Sequence, residues 1–225
     1  MRDVLQILKQ SELFKTLPEE VIERDILPLG QILKLARKHQ FIVPHQDMTA
    51  FAVVLSGRIH IEYSLPFGGS TLQRVATCGD ILGAEWICSD QMMTSQSAEA
   101  VSAATVISFP NQMIAEKGMI DEDCRQELLN RLLRLLSENC IGQQYHYALL
   151  SLNGLRERVV MYLMRMADHY RCKIFEIPLS REEMAEILCV NRSCLSHELS
   201  MMEKDGLISF HKNQFTLHDY QSWQT

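Results

Sequence analysis

Arg192, Ser193, Ser196, His197, Ser200 and Lys204 recur at a spacing that gathers them along one side of a helix, with Arg192 at its N-terminus. The opposite side carries Leu195, Leu199 and Met202. Short hydroxyls beside one imidazole, one ammonium and one guanidinium make a slim face of hydrogen-bonding groups. Such a face suits a DNA major groove, which admits one helix and presents donors and acceptors at the base edges. The competing reading is an ordinary solvated helix, which would usually carry more glutamate and lysine.

Other chemistry is poorly represented. The seven cysteines, at 78, 88, 124, 140, 172, 189 and 194, form no C-x-x-C pair and no cluster. An odd, scattered set implies reduced thiols rather than a disulfide framework or a zinc site, so no metal ligands are assigned. Cys140 and Cys194 leave direct thiol chemistry open, although cysteine is most often a small buried hydrophobe. No P-loop, nucleophile elbow, HExxH or paired-carboxylate motif stands out, which argues against an enzyme and assigns no catalytic residue.

The elements that must hold the polar face are legible around it. Ser180 and Glu183 have capping-box spacing at the head of a helix with Met184, Ala185, Ile187 and Leu188 on its apolar side. Cys189-Val190-Asn191 is a short connector whose Asn191 is expected to cap the next helix. Gly206 should stop that second helix. Leu207–Phe210 and Gln214–Leu217 are expected as strands around a 211–213 turn, so residues 180–218 form a winged helix-turn-helix.

Upstream the texture changes. Between Leu29 and Pro110, short apolar runs alternate with glycines, as in a β-barrel or jelly roll. Its expected features are a strand over 51–55, a bend at Gly57, and a second strand with Ile59, Ile61 and Tyr63 inward. Pro66-Phe67-Gly68-Gly69 and Cys78-Gly79-Asp80 should form turns, and a last strand should end at Pro110. Residues 121–150 form a long helix in which Leu129, Leu133, Leu136, Cys140, Gln143, Tyr147 and Leu150 step by four and three, a coiled-coil seam suited to dimerisation. The alternative is that this seam packs on its own barrel. A second helix over 155–170 leads into the winged helix.

The expected fold is therefore α+β, in three parts: a barrel with an N-terminal helix over 1–120, a dimerisation helix over 121–150, and a winged helix-turn-helix over 151–225. At 225 residues and 47% hydrophobic content the chain can bury such cores. It has no apolar run long enough to span a membrane, and its N-terminus resembles an amphipathic helix more than a signal peptide, so a cytoplasmic location is expected. The net charge of −6 divides as −5 over residues 1–150 and −1 over 151–225, which implies modest non-specific attraction to phosphates.

The order barrel, long helix, winged helix resembles the Crp/Fnr family of bacterial transcription regulators over nearly the whole chain. The stretches that carry the likeness are VVLSGRIHIEY with Gly57, CGDILGAEW at 78–86, and LSREEMAEILCVNRSCLSHELSMMEKDGLI at 179–208. The resemblance implies a homodimer on double-stranded DNA, with a cyclic-nucleotide-binding-like barrel (a double-stranded β-helix) sensing a small effector, and contact with RNA polymerase if it activates. It also implies an effector site around Gly83, Ala84, Glu85, Trp86, Gln96 and Ser97, facing the long helix near Asn139 and Tyr145, with Met92 and Met93 adding an apolar lining.

Family members that bind cyclic AMP place a glutamate after Gly-Asp-x-x-Gly and an arginine before Ser-Ala. Those positions hold Ala84 and Gln96, with Glu85 one residue out of register, so cyclic AMP is not expected as effector. An iron–sulfur cluster is not expected either, since the first cysteine is Cys78. Haem is left open by His39, His45, His60 and His146. In the recognition helix, Arg192, Ser196 and His197 match family base-reading positions. His197 stands where arginine is common and Ser193 where glutamate is common, so the half-site is expected to differ while remaining part of an inverted repeat. A regulatory module without DNA binding is the remaining alternative.

Overall fold

The computed structural model describes residues 2–90 and 93–218. It divides into two compact units, 1–140 and 141–225.

The first unit opens with α1 (Arg2–Gln10), whose Leu5 and Leu8 are buried. A short α2 (Glu19–Val21), a π-helical turn (Ile22–Ile26) and a 3₁₀ turn (Leu27–Leu29) lead into the barrel. Eight strands follow: β1 (Gln31–Leu35), β2 (Gln40–Ile42), β3 (Ala50–Ser56), β4 (Ile59–Ser64), β5 (Ser70–Ala76), β6 (Ile81–Leu82), β7 (Gln96–Ala100) and β8 (Ala104–Pro110). They form two antiparallel four-stranded sheets, β1-β8-β3-β6 and β2-β7-β4-β5, the two layers of a jelly roll. Between them pack Val54, Ile59, Ile61, Leu82, Val106 and a group of alanines at 52, 76, 98, 100 and 104.

The strand readings hold with one adjustment. Gly57, at φ 90°, makes the bend between β3 and β4, and Gly79, also at 90°, sits in the turn before β6. Tyr63 keeps the inward register of Ile59 and Ile61, pairing with Gln96 of β7, yet it is exposed. Its position is the last on that face before the 65–69 hairpin loop, beyond the depth of the core.

The helix expected over 121–150 is α4 (Glu122–Leu150), preceded by α3 (Gln112–Ala115). Within the first unit α4 buries Cys124, Leu128 and Leu132, one per turn, against Phe14, Ile22, Ile26, Phe109 and Ile114. Arg125 is buried too, and there it holds Glu122 through two hydrogen bonds and donates to the Ile114 carbonyl at 3.2 Å.

In the second unit, α5 (Leu155–Tyr170) has the bounds expected. It is followed by β9 (Ile174–Glu176), α6 (Arg181–Ile187), α7 (Arg192–Lys204), β10 (Ile208–His211) and β11 (Gln214–Leu217). Tyr162, Leu163, Met184, Leu188, Leu195, Leu199, Met202 and Phe215 share one core. The wing is a three-stranded sheet, β10-β11-β9. Sequence reading missed β9, a three-residue strand whose Phe175 pairs with Phe215 some forty residues later. The hairpin is also tighter than expected, with His211 paired to Gln214 and only Lys212 and Asn213 in the turn.

Candidate DNA-reading helix and effector segment

The recognition face is held by local chemistry at both helices. Ser180 accepts from the Glu183 backbone N–H at 3.2 Å while the Glu183 carboxylate accepts from the Ser180 N–H at 2.6 Å, the reciprocal capping box read from sequence. At the end of α6 the Cys189 N–H donates to the Glu186 carbonyl and the Val190 N–H to the Ala185 carbonyl. That is a Schellman closure with Cys189 at φ 54°, and it turns the chain sharply into α7. Asn191 occupies the N-cap position, but its side chain makes no cap bond, so the position was read correctly and the interaction was not. Gly206, at φ 74°, closes α7 in the same pattern: its N–H donates to the Glu203 carbonyl and the Leu207 N–H to the Met202 carbonyl.

Leu195, Leu199 and Met202 are buried, which sets the rotation of α7. Arg192, Ser193, Ser196, His197, Ser200 and Lys204 are all exposed. Ser200 Oγ donates back to the Ser196 carbonyl at 3.0 Å, leaving its lone pairs outward.

Two arginines that sequence reading passed over fix this surface. Arg156 on α5 donates from Nε to Glu198 and from Nη1 to Asp205, both at 2.6 Å, so one guanidinium grips α7 two turns apart. Arg181 lies over the rings of Phe210 and Phe215 at 5.4 and 5.3 Å and donates to the Lys212 carbonyl at the wing turn. Burial, and secondarily the charge of Arg192, pushes the Arg181 pKa down. Lys212 itself is exposed at the wing tip with φ 52°. The spacing of Arg181 gave no signal, because its ring partners lie about thirty residues on.

In the first unit, Gly83 is left-handed at φ 77° and opens the 3₁₀ turn Ala84–Trp86. A Cβ there would stand 3.2 Å from the Met48 terminal methyl. Ala84 is buried, Glu85 points to solvent and Trp86 is half-buried against the barrel core. Asn111, almost fully buried, ties this turn down by donating to the Met48 carbonyl at 2.8 Å and the Trp86 carbonyl at 3.4 Å. Gln96 and buried Ser97 lie on β7. The Gln96 side-chain amide donates to Gln73 at 3.2 Å, while its Oε1 is buried with no hydrogen-bond partner among the described residues.

The other expected effector residues lie on α4. Asn139 is exposed, and the Tyr145 hydroxyl donates to the Met161 carbonyl beneath the Arg165 guanidinium. Met93 is exposed, and Met92 lies outside the described residues. Two open hollows, of about 510 and 280 Å³, lie beside α4 and the 16–25 segment.

The seam residues Leu133, Cys140, Gln143 and Tyr147 are exposed, while Leu129, Leu136 and Leu150 are half-buried. The alternative of a seam packed on its own barrel is met only in part, with Leu129 and Leu136 touching the first unit's core. Among the described residues no group of three or more His, Cys, Asp or Glu is placed to hold a metal ion. His39 and His45 are exposed, His60 faces Glu62 at 3.7 Å, and His146 has its pKa lowered by burial and by Arg165. The Cys124 thiol is pushed up to about 11, chiefly by burial. Cys140 and Cys194 are exposed.

A jelly roll joined in sequence to a winged helix with an exposed polar recognition face defines a class of DNA-binding regulators. Residues 157–222 match the Crp-like helix-turn-helix domain. The chain is 26% identical over 206 residues to the nitrogen fixation regulation protein FixK of Bradyrhizobium diazoefficiens, covering 87% of this chain and 84% of FixK. Among solved structures, FixK2 from Bradyrhizobium japonicum matches with a TM-score of 0.65 at 18% identity, over 87% of this chain and 96% of that one. The c-di-GMP-responsive global regulator CLP of Xanthomonas campestris matches with a TM-score of 0.68 at 14% identity, over 89% of this chain and 99% of that one. Residues 157–222 are thus a Crp-like helix-turn-helix DNA-binding domain, and the chain as a whole is similar to transcription regulators of the Crp/Fnr type.

Proposed function

We propose that this regulator acts in the cytoplasm as a homodimer on an inverted-repeat operator, its barrel answering a small effector other than cyclic AMP, and that it touches RNA polymerase where it activates. The observation that carries the DNA reading is the recognition face of α7: six polar side chains exposed together, on a helix clamped by Arg156. Arg192, Ser193, Ser196 and His197 read base edges; Ser200, Lys204 and the wing's Lys212 meet phosphates. A neutral imidazole at His197 offers one donor where arginine offers a fork to guanine, so specificity at that base pair shifts by ~1–3 kcal/mol relative to the family's common half-site.

The effector reading rests on Ala84 and Gln96. Neither supplies the charge with which cyclic-AMP binders hold ribose and phosphate. Losing such a contact costs ~2–5 kcal/mol. CLP answers c-di-GMP, so this fold accepts effectors other than cyclic AMP.

Selection from a pool of genomic fragments, followed by binding at rising salt, tests the DNA reading. The expected outcome is enrichment of an inverted repeat with half-sites about one DNA turn apart and an affinity that falls steeply with salt. Protection of a single unrepeated half-site, or no binding at low salt, would refute it. Calorimetric titration with cyclic AMP is expected to show no binding in the micromolar range.

A further inference from the structure

We infer that the barrel has a cationic ligand contact on β5 rather than on β7: Arg74 anchors an anionic group, a carboxylate or phosphate, on the effector. The inference rests on the reading of the barrel as an effector sensor, and it names the chemistry the effector must carry.

The register places Arg74. It pairs with Ile61 of β4, which pairs in turn with Ala98 of β7, and two residues on, Ala76 pairs with Ile59. Ile59, Ile61, Ala76 and Ala98 are all buried in the core between the two sheets. Side chains two apart on a strand share a face, so Arg74 projects from the inner face of its sheet. It is half-buried there, and its Nη2 donates to the Ile81 carbonyl at 2.7 Å. Ile81 begins the short strand that runs directly into Gly83, Ala84, Glu85 and Trp86, so the guanidinium is tied to the head of the expected effector segment.

Arg74 is under-used where it stands. One of its five N–H groups is engaged, and no carboxylate among the described residues pairs with it. A half-buried guanidinium on this inner face adds little to packing, which a Met or Leu would serve better. The neighbouring polar groups are also poised: Gln73, beside it in sequence, holds the Gln96 amide, whose other end is buried without a partner among the described residues. The sheet whose β7 carries a neutral amide, Gln96, where cyclic-AMP binders place an arginine, carries an arginine on β5. Because β4 lies between them, the two origins are separated by roughly 10 Å. An anion held by Arg74 is thus displaced from the site a cyclic phosphate would use.

The test is calorimetric titration of the full chain with inorganic phosphate, alongside Arg74→Met and Arg74→Lys. The wild type should bind saturably in the millimolar range. Arg74→Met should bind at least tenfold more weakly and melt no lower than the wild type, and Arg74→Lys should fall between. Absence of saturable binding in the wild type overturns the inference, as does equal binding by Arg74→Met, which would place the anion elsewhere. A clear drop in the melting temperature of Arg74→Met would show that Arg74 is a structural bolt for Ile81. If Arg74→Met fails to fold, Arg74→Lys decides: affinity equal to the wild type overturns the proposal. DNA binding by the wild-type chain in phosphate-free buffer is read separately, so failure of the anion site and failure of the regulator reading are distinguishable.

Discussion

Arg156 shows how a residue outside the recognition helix sets what that helix can do. Its guanidinium is committed to Glu198 within α7 and to Asp205 at its C-cap, seven residues on, and so resists both rolling and sliding of the helix. The pair is partly exposed, which limits its stabilising effect to about 1 kcal/mol. Its effect on binding should be larger, because base-edge hydrogen bonds tolerate little displacement of their donors. Arg156→Ala is therefore expected to lower the thermal midpoint by only a few degrees while weakening operator affinity severalfold, measured by melting and fluorescence anisotropy on the same preparation. Unchanged affinity would show that packing of Leu195, Leu199 and Met202 suffices to aim α7. The six outward residues were legible from periodicity because they lie within thirteen positions. Arg156 was not, since its partners stand 42 and 49 residues away.

At the scale of elements, two glycines with the same backbone angle separate two physical effects. Gly57 and Gly79 both sit at φ 90°, which an L side chain adopts only with strain. A Cβ on Gly57 would stand 2.6 Å from the Ala104 Cα and 2.7 Å from the Ala103 carbonyl oxygen, backbone atoms at the entry to β8. A Cβ on Gly79 would meet nothing within 4 Å. Gly79→Ala should cost only the strain, ~1–2 kcal/mol. Gly57→Ala adds overpacking of a further ~1–3 kcal/mol. Urea denaturation of the two variants checks the order, and equal losses would show that the strand at Ala104 gives way freely. Both glycines were visible in the sequence as punctuation, but only the β3–β8 pairing shows which one is pressed against another strand. The same dependence on distant pairing hid β9 and left Tyr63 outside the core despite its inward register.

At the scale of the whole molecule, α4 buries one apolar surface within the first unit and leaves much of a second, the seam, exposed. Cys124, Leu128 and Leu132 are buried in the first unit, whereas Leu133 is 66% exposed and Tyr147 is 71% exposed on the seam. In the proposed dimer, taken as a parallel two-fold pair, each seam residue meets its own copy, so one substitution acts twice. Covering a leucine side chain is worth ~1.5–3 kcal/mol, or ~3–6 kcal/mol for the two copies. Leu133→Asp removes that burial and sets two carboxylates facing each other, so the dimer dissociation constant should rise by at least about a hundredfold. Sedimentation equilibrium at micromolar protein should then find a monomer with native circular dichroism, and the preference for an inverted repeat over a single half-site should disappear. A variant that remains dimeric would place the subunit contact elsewhere and return the seam to packing within the protomer. Tyr147→Asp, at the other end of the seam and in the second unit, provides the independent check, because a dimer held along the whole helix must weaken at both positions.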